Sequence, residues 1–130
     1  MICIDSDCII DFLKNRANAV GAVQKWKHEM VTTEISRFQV LFGIFNKPVV
    51  SERELNAARE FFSRLDVLPF NDNCGESAAE LLAALRRRGE VIDEADCLIA
   101  ASMKVHGCLR ILSGNAKHFG RIPELSVVSY

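Results

Sequence analysis

Three polar residues could share one pocket although they lie far apart in the sequence. Asp5 follows an apolar run that indicates a buried parallel strand, Asp96 lies near the start of a predicted helix, and Asn115 follows another predicted strand. In α/β proteins, ligands bind at the carboxyl ends of parallel strands, because the loops diverge there while the sheet holds their ends. Hard oxygen ligands of this kind suit Mg²⁺ or Mn²⁺, which can orient a water and lower its pKa. The three residues therefore predict a metal site that could hydrolyse a phosphate ester.

Additional polar residues lie beside these positions. Ser6 or Asp7 could cap the helix that follows the first strand, and Asp7 is explained most simply in this way. Because a cap is available there, we expect Asp5 itself to be functional. Ser113 adds a hydroxyl to the strand end that Asn115 follows, which again places polar groups at a carboxyl edge.

The helix that contains Asp96 begins with a cluster of acids. Asp93, Glu94 and Asp96 crowd its first turn, where the helix dipole favours negative charge. A cap explains one such acid, but this cluster is more than a cap needs. The histidines show no spacing typical of metal ligands, and we interpret them as surface or helix-end residues: His28, His106 and His118.

Strands alternate with helices along the chain. The predicted strands cover residues 1–4, 30–33, 67–70, 109–112 and 127–128. Helices are expected to begin near Ser6, Asn18, Ser36, the capping box of Ser51 and Glu54, Ser77 and Asp93. Since no hairpin signal occurs, this alternation predicts an α/β fold with a central parallel sheet that is covered on both faces.

One predicted helix carries more apolar residues than a single buried stripe requires. Its apolar positions are Phe38, Val40, Leu41, Phe42, Ile44 and Phe45. Such a helix is either deeply buried or contacts another chain. Both interpretations stay open from the sequence, and the segment is our candidate for a partner or dimer surface.

Composition and charge exclude several classes of protein. The 130 residues include 49% hydrophobic and 25% charged residues, which fits a single folded domain over residues 1–130. A formal net charge of −1 excludes a global positive field that would attract nucleic acid. No apolar run reaches the roughly 18 residues of a membrane span, and the start does not resemble a signal peptide, so we expect a cytoplasmic protein without membrane contact. The cysteines lie in apolar contexts and are predicted to be buried thiols: Cys3, Cys8, Cys74, Cys97 and Cys108.

Four stretches resemble the PIN domain nucleases and, within that family, the VapC toxins of toxin–antitoxin pairs. They are MICIDSDCIIDFL at 1–13, TEISRFQVLFGI at 33–44, IDEADCLIAA at 92–101 and LRILSGNAKHFGRI at 109–122. Their order and spacing are similar to those of the family, and they span nearly the whole chain. The resemblance implies a three-layer α/β/α fold, cleavage of RNA with Mg²⁺ or Mn²⁺, a homodimer, and inhibition by a cognate antitoxin.

The resemblance also implies roles for single residues. Asp5 and Asp96 match metal-binding aspartates of the family, and Asn115 matches a position that carries Asp or Asn. Ser6 matches a Thr or Ser whose hydroxyl supports the site. Gln39 departs from the pattern, because the family ordinarily has a glutamate there. An amide keeps an oxygen ligand but removes one negative charge, which weakens the attraction for a divalent cation.

Three interpretations of Gln39 are open. The site could work with Asp7 or Asp93 as a compensating acid, the protein could be an impaired nuclease, or the residue could be a substitution of the native one. Asp93 is the better compensating candidate because it lies three residues before Asp96 and could share its helix face. Glu34 lies one and a half turns from Gln39 and is expected to face away.

Binding of RNA would require positive charge beside the acids, and the family motifs place Arg37, Lys117 and Arg121 near that edge. Solvated surface charge is the alternative for each of the three. Two further functions compete with the nuclease. One is a catalytically inactive PIN-like module that binds RNA or protein, which Gln39 favours, and the other is a phosphatase that uses a similar acidic cleft.

Overall fold

The computed structural model describes residues 1–71 and 73–130. Within these residues, the strands are β1 (Ile2–Ile4), β2 (Met30–Thr33), β3 (Asp66–Leu68), β4 (Arg110–Leu112) and β5 (Ser126–Val128). The helices are α1 (Ser6–Leu13), α2 (Ala17–Trp26), α3 (Glu34–Phe45), α4 (Glu52–Ser63), α5 (Cys74–Arg87), α6 (Glu94–Val105) and α7 (Ala116–Phe119).

The strands form one parallel sheet in the order β3-β2-β1-β4-β5. The central strand β1 pairs with β4, with Ile4 opposite Leu112. The residues that follow the two strands, Asp5 after β1 and Ser113 after β4, therefore leave the sheet at the same edge. This register brings together two segments that are distant in the sequence.

Side chains of β1 alternate between the two faces of the sheet. Ile2 and Ile4 are buried in a core that they share with residues of α1, α2, α3 and α4. Cys3 is buried in a second core, which α5 and α6 complete. Burial on both faces explains why every residue of β1 is apolar. The α/β architecture with a central parallel sheet, predicted from the sequence, is confirmed.

Helix α1 begins at Ser6 as predicted, but the predicted caps of α1 and α2 are wrong. The N-cap of α1 is Asp5 rather than Ser6 or Asp7, since its carboxylate accepts a hydrogen bond from the Ser6 N–H. Helix α2 begins at Ala17, so Asn18 lies inside the helix and does not cap it. In each case the backbone leaves its extended conformation earlier than the pattern of apolar residues indicated.

Helix α3 begins at Glu34, two residues before the predicted start at Ser36. Thr33 is its N-cap, and the Thr33 hydroxyl accepts a hydrogen bond from the Ser36 N–H at 3.0 Å. The capping box predicted for α4 is half formed, because Ser51 Oγ accepts from the Glu54 N–H while the Glu54 carboxylate binds Lys47 Nζ at 2.6 Å. The short helix α7 was not predicted.

Helix α3 combines the two interpretations that its sequence left open. Val40 and Ile44 are buried in the core, whereas Phe38, Phe42 and Phe45 are 61%, 54% and 51% exposed. The Phe38 and Phe42 rings stack on each other with 5.8 Å between their centroids. The exposed phenylalanines form an apolar patch on the outer face of α3.

Two predictions from composition can be compared directly with the described part of the chain. The five cysteines are buried free thiols, as predicted. Among the described helices, none has both the length and the apolar character needed to cross a membrane.

Candidate active site

Asp5 lies at the carboxyl end of the central strand and is only 5% exposed. Its Oδ1 accepts a hydrogen bond from the Ser6 N–H at 2.8 Å, and its Oδ2 accepts one from Ser113 Oγ at 2.7 Å. The pKa of the Asp5 carboxyl is raised to about 6, mainly because burial disfavours its charged form. The hydrogen bond from Ser113 lowers this pKa, and the negative charge of Asp7 raises it. Asp5 thus both caps α1 and presents a buried, polarised carboxyl group.

Asp7 connects helix α1 to the loop after β4. Its Oδ1 accepts from the Cys8 N–H at 2.6 Å, and its Oδ2 accepts from the Gly114 N–H at 2.9 Å. A Cβ atom at position 114 would lie 3.0 Å from Asp7 Oδ2, so glycine permits this close approach. Burial raises the pKa of Asp7. The helix cap predicted for Asp7 is therefore replaced by a tertiary contact.

Asp96 is 7% exposed and lies in the first turn of α6. Its Oδ2 accepts a hydrogen bond from Asn115 Nδ2 at 3.3 Å and lies 3.1 Å from His118 Nδ1. Burial raises the pKa of Asp96, while the contact with His118 lowers it. Asp93 is close as well, because single ligand atoms of Asp93, Asp96 and His118 lie within 4.8 Å of one another.

His118 is a site residue that the sequence analysis missed. It lies three residues after Asn115 on α7, half-buried, and the two side chains approach to 3.2 Å. The interpretation as a surface or helix-end residue overlooked this contact. The spacing of Asn115 and His118 would have indicated a shared helix face only if α7 had been predicted.

These groups form one acidic pocket rather than separate clusters. The charges of Asp7 and Asp96 both raise the pKa of Asp5, and the charges of Asp93 and Asp7 raise the pKa of Asp96. Four carboxyl groups at one sheet edge repel each other, and a divalent cation relieves that repulsion.

The three basic residues predicted to contact RNA differ in the groups that their side chains contact. Arg37 forms an ion pair with Glu34 at 2.8 Å. Arg121 donates a hydrogen bond to the Val91 carbonyl. Lys117 is exposed on α7, next to the residues that contact Asp96.

Gln39 is half-buried on α3, and its Oε1 atom has no hydrogen-bond partner among the described residues. A buried acceptor without a donor costs about 1–3 kcal/mol, so a ligand that bonded to this oxygen would relieve that cost. The Glu34 carboxylate accepts a hydrogen bond from the Arg37 guanidinium at 2.8 Å. The four carboxyl groups are hard oxygen ligands of the kind that a divalent cation binds.

Residues 2–125 match the PIN domain family. The chain is 28% identical over 98 residues to the tRNA(fMet)-specific endonuclease VapC of Salmonella typhimurium, covering 75% of this chain and 73% of that protein. It is also 28% identical over 125 residues to ribonuclease VapC19 of Mycobacterium tuberculosis, covering 94% of each chain.

Solved structures show the same fold. The chain resembles VapBC2 from Rickettsia felis bound to a promoter DNA fragment, with a TM-score of 0.88 at 21% identity over 100% of this chain and 99% of that one. It resembles DNA-bound VapBC from Salmonella typhimurium with a TM-score of 0.85 at 22% identity, over 98% and 96% of the two chains. The three-layer α/β/α fold and the resemblance to VapC proteins are thereby confirmed. Because the family match spans nearly its whole length, this chain belongs to the PIN domain family.

Proposed function

We propose that residues 1–130 act as a single-domain, metal-dependent endoribonuclease of the VapC type that a cognate antitoxin inhibits. The observation that carries this proposal is the acidic pocket, in which the buried carboxyl groups of Asp5 and Asp96 are connected through hydrogen bonds of Ser113 and Asn115. Relatives named as ribonucleases and a tRNA-specific endonuclease support RNA as the substrate.

In this proposal Asp5 and Asp96 are the principal metal ligands. A bound Mg²⁺ or Mn²⁺ would lower the pKa of a water and stabilise negative charge on the phosphate. Ser113 orients the Asp5 carboxylate through its 2.7 Å hydrogen bond, and Asn115 orients Asp96 through its amide. The backbone of Ser6 fixes the other oxygen of Asp5. These contacts hold the two carboxylates in place before a ligand arrives.

Gln39 modifies this activity. Its amide supplies an oxygen but no charge, so the pocket attracts a divalent cation less strongly than it would with a glutamate. Asp7 and Asp93 add negative charge to the same pocket and compensate in part. We infer an active but weakened nuclease. The same residue favours the second candidate, a catalytically inactive module that binds RNA.

Binding of RNA is assigned to positive charge beside the pocket. Lys117 is the strongest candidate because it is exposed on the short helix that carries His118. Arg37 and Arg121 are proposed as weaker contacts, since each already bonds to Glu34 or to the Val91 carbonyl. A phosphate backbone would have to displace those partners.

Two surfaces support protein partners. The exposed phenylalanines of α3 fit a homodimer, because an apolar patch on one helix can pack against its own copy around a two-fold axis.

A groove between α1, α3 and α4 contains the apolar residues Ile10, Leu13 and Ile44 and the basic residues Lys14 and Arg53. It suits an antitoxin segment with apolar and acidic side chains. An RNA-cleaving toxin with such a partner would act in the cytoplasm.

The test is cleavage of a mixed RNA pool with Mg²⁺ or Mn²⁺ by the native chain, Gln39→Glu and Asp5→Ala. We expect the native chain to cut slowly, Gln39→Glu to cut faster, and Asp5→Ala to be silent. Cleavage by Gln39→Glu alone would identify a nuclease disabled at one ligand. If neither the native chain nor Gln39→Glu cuts, and both bind RNA, the binding module replaces the nuclease. Faster hydrolysis of a phosphate monoester than of RNA would indicate a phosphatase.

A further inference from the structure

His118 brings a nitrogen ligand into a pocket otherwise made of oxygen atoms. Its Nδ1 lies 3.1 Å from Asp96 Oδ2, and one carboxylate oxygen of Asp93 lies within 4.8 Å of the ligand atoms of both. Two neighbouring ligands of one metal ion, each bonded at about 2.1 Å and at right angles, lie about 3.0 Å apart. The spacing of His118 and Asp96 therefore matches that of two ligands on one ion.

The hydrogen bonds around Nδ1 are consistent with such a role. Nδ1 lies 3.1 Å from Asp96 Oδ2 and 3.2 Å from Asn115 Nδ2. A ring nitrogen either donates a proton or accepts one, so Nδ1 cannot serve both neighbours at once. Asn115 Nδ2 has its own acceptor in Asp96 Oδ2 at 3.3 Å. A cation at Nδ1 would take the place of the proton shared with Asp96 and leave the bond from Asn115 intact.

The other ligands of the pocket determine which ion this arrangement favours. Asn115 contributes a neutral amide beside Asp96, where a further carboxylate would have added charge. Mn²⁺ and Mg²⁺ both bind carboxylate oxygens, but Mg²⁺ demands oxygen ligands and retains its waters, whereas Mn²⁺, as a first-row transition metal, accepts an imidazole nitrogen more readily. A neutral nitrogen ligand thus adds affinity for a transition metal without adding charge.

We propose that His118 is a metal ligand, together with Asp93 and Asp96, and that it makes this site bind Mn²⁺ in preference to Mg²⁺. The inference rests on the proposed function, since it concerns the same metal site. It adds a ligand and a choice of metal that the acidic residues alone do not provide. A role of His118 only as a hydrogen-bond donor that orients Asp96 is the competing outcome.

The test measures metal binding without RNA. Calorimetric titration with Mn²⁺ and with Mg²⁺ is done on the native chain, His118→Ala and the matched control His28→Ala, whose histidine is exposed in the loop after α2. We expect His118→Ala to weaken Mn²⁺ binding by about tenfold or more and Mg²⁺ binding by less than about twofold. Equal losses for both ions would overturn the proposal, because a residue that only orients Asp96 affects both alike.

Pulsed electron paramagnetic resonance of the Mn²⁺ complex provides a second readout. Nitrogen coupling to Mn²⁺ is expected in the native chain and in His28→Ala, and its loss is expected in His118→Gln, which keeps a polar side chain of similar size if His118→Ala does not fold. Absence of nitrogen coupling in the native complex would refute the proposal. If the coupling is present but no RNA is cut, the metal site stands and the nuclease function falls. If RNA is cut but the bound Mn²⁺ shows no nitrogen coupling, the nuclease function stands and His118 is not a metal ligand.

Discussion

Ser113 Oγ donates a 2.7 Å hydrogen bond to Asp5 Oδ2, although 108 positions separate the two residues. The pairing of Ile4 with Leu112 places them side by side at the sheet edge. The same hydroxyl accepts a hydrogen bond from the Asn115 N–H at 2.9 Å. Ser113 thus connects the Asp5 carboxylate, which follows β1, to the loop that carries Asn115, and it fixes both relative to the sheet.

Replacing Ser113 with Ala should impair catalysis through Asp5. The lost hydrogen bond favours the charged form of Asp5, so the pKa of Asp5 rises further without it. Loss of a bond that orients a metal ligand typically costs about 10- to 100-fold in metal affinity or activity. We expect a reduced cleavage rate whose pH profile is shifted to higher pH. The exposed Ser129→Ala is the control, and an unshifted profile for Ser113→Ala would contradict the assigned role.

Replacing Asp5 with Asn should stabilise the metal-free protein near neutral pH. The folded pKa of about 6 lies above the ordinary aspartate value of 3.8, so the folded state holds its proton more tightly than the unfolded chain does. The stability that this proton contributes is complete below the unfolded pKa and is lost as the pH rises through about 6. The amide avoids that loss and keeps acceptor and donor atoms for Ser6 and Ser113.

The expected gain for Asp5→Asn is at most about 3 kcal/mol near neutral pH and close to zero near pH 4, since each pKa unit corresponds to about 1.4 kcal/mol. Chemical unfolding with a metal chelator at both pH values measures it, alongside the exposed Asp66→Asn. RNA cleavage should be lost in Asp5→Asn at every pH. A gain of equal size at both pH values would show that the buried charge is not the cause.

The sequence was sufficient to predict the parallel sheet because predicted strands alternate with predicted helices and no hairpin signal occurs between them. The sequence was also sufficient to predict that Asp5, Asp96 and Asn115 lie near one edge of the sheet. It did not reveal the cap formed by Asp5, since capping depends on where the backbone turns. Nor did it reveal His118, because α7 is only four residues long and has no periodicity to detect. The contact of Asp7 with Gly114 depends likewise on strand pairing.

Replacing Gly114 with Ala should disturb the pocket through Asp7. The added Cβ would lie 3.0 Å from Asp7 Oδ2, which must shift by a few tenths of an ångström and weaken its bond to the residue 114 N–H. We expect about 1 kcal/mol of lost stability and weaker metal binding. Gly21→Ala in α2 is the matched control, since nothing lies within 4 Å of its added Cβ and alanine favours a helix by about 1 kcal/mol. For Gly21→Ala, the free energy of unfolding should therefore increase or stay the same, and metal binding measured by calorimetric titration should not change.

Replacing Phe38 and Phe42 with Asp should dissociate the proposed homodimer. Both rings are more than half exposed and stack on each other, so they contribute little to the core but offer an apolar patch to a second copy. Two carboxylates placed there would be desolvated and would repel their counterparts across a two-fold axis. Sedimentation equilibrium at micromolar concentration should show a dimer for the native chain and a monomer for the double variant. Val49→Asp, at a position that is 82% exposed outside this patch, should leave the dimer intact. A native chain that sediments as a monomer would exclude this surface as a dimer interface, and a dimer that survives both substitutions would place the interface elsewhere.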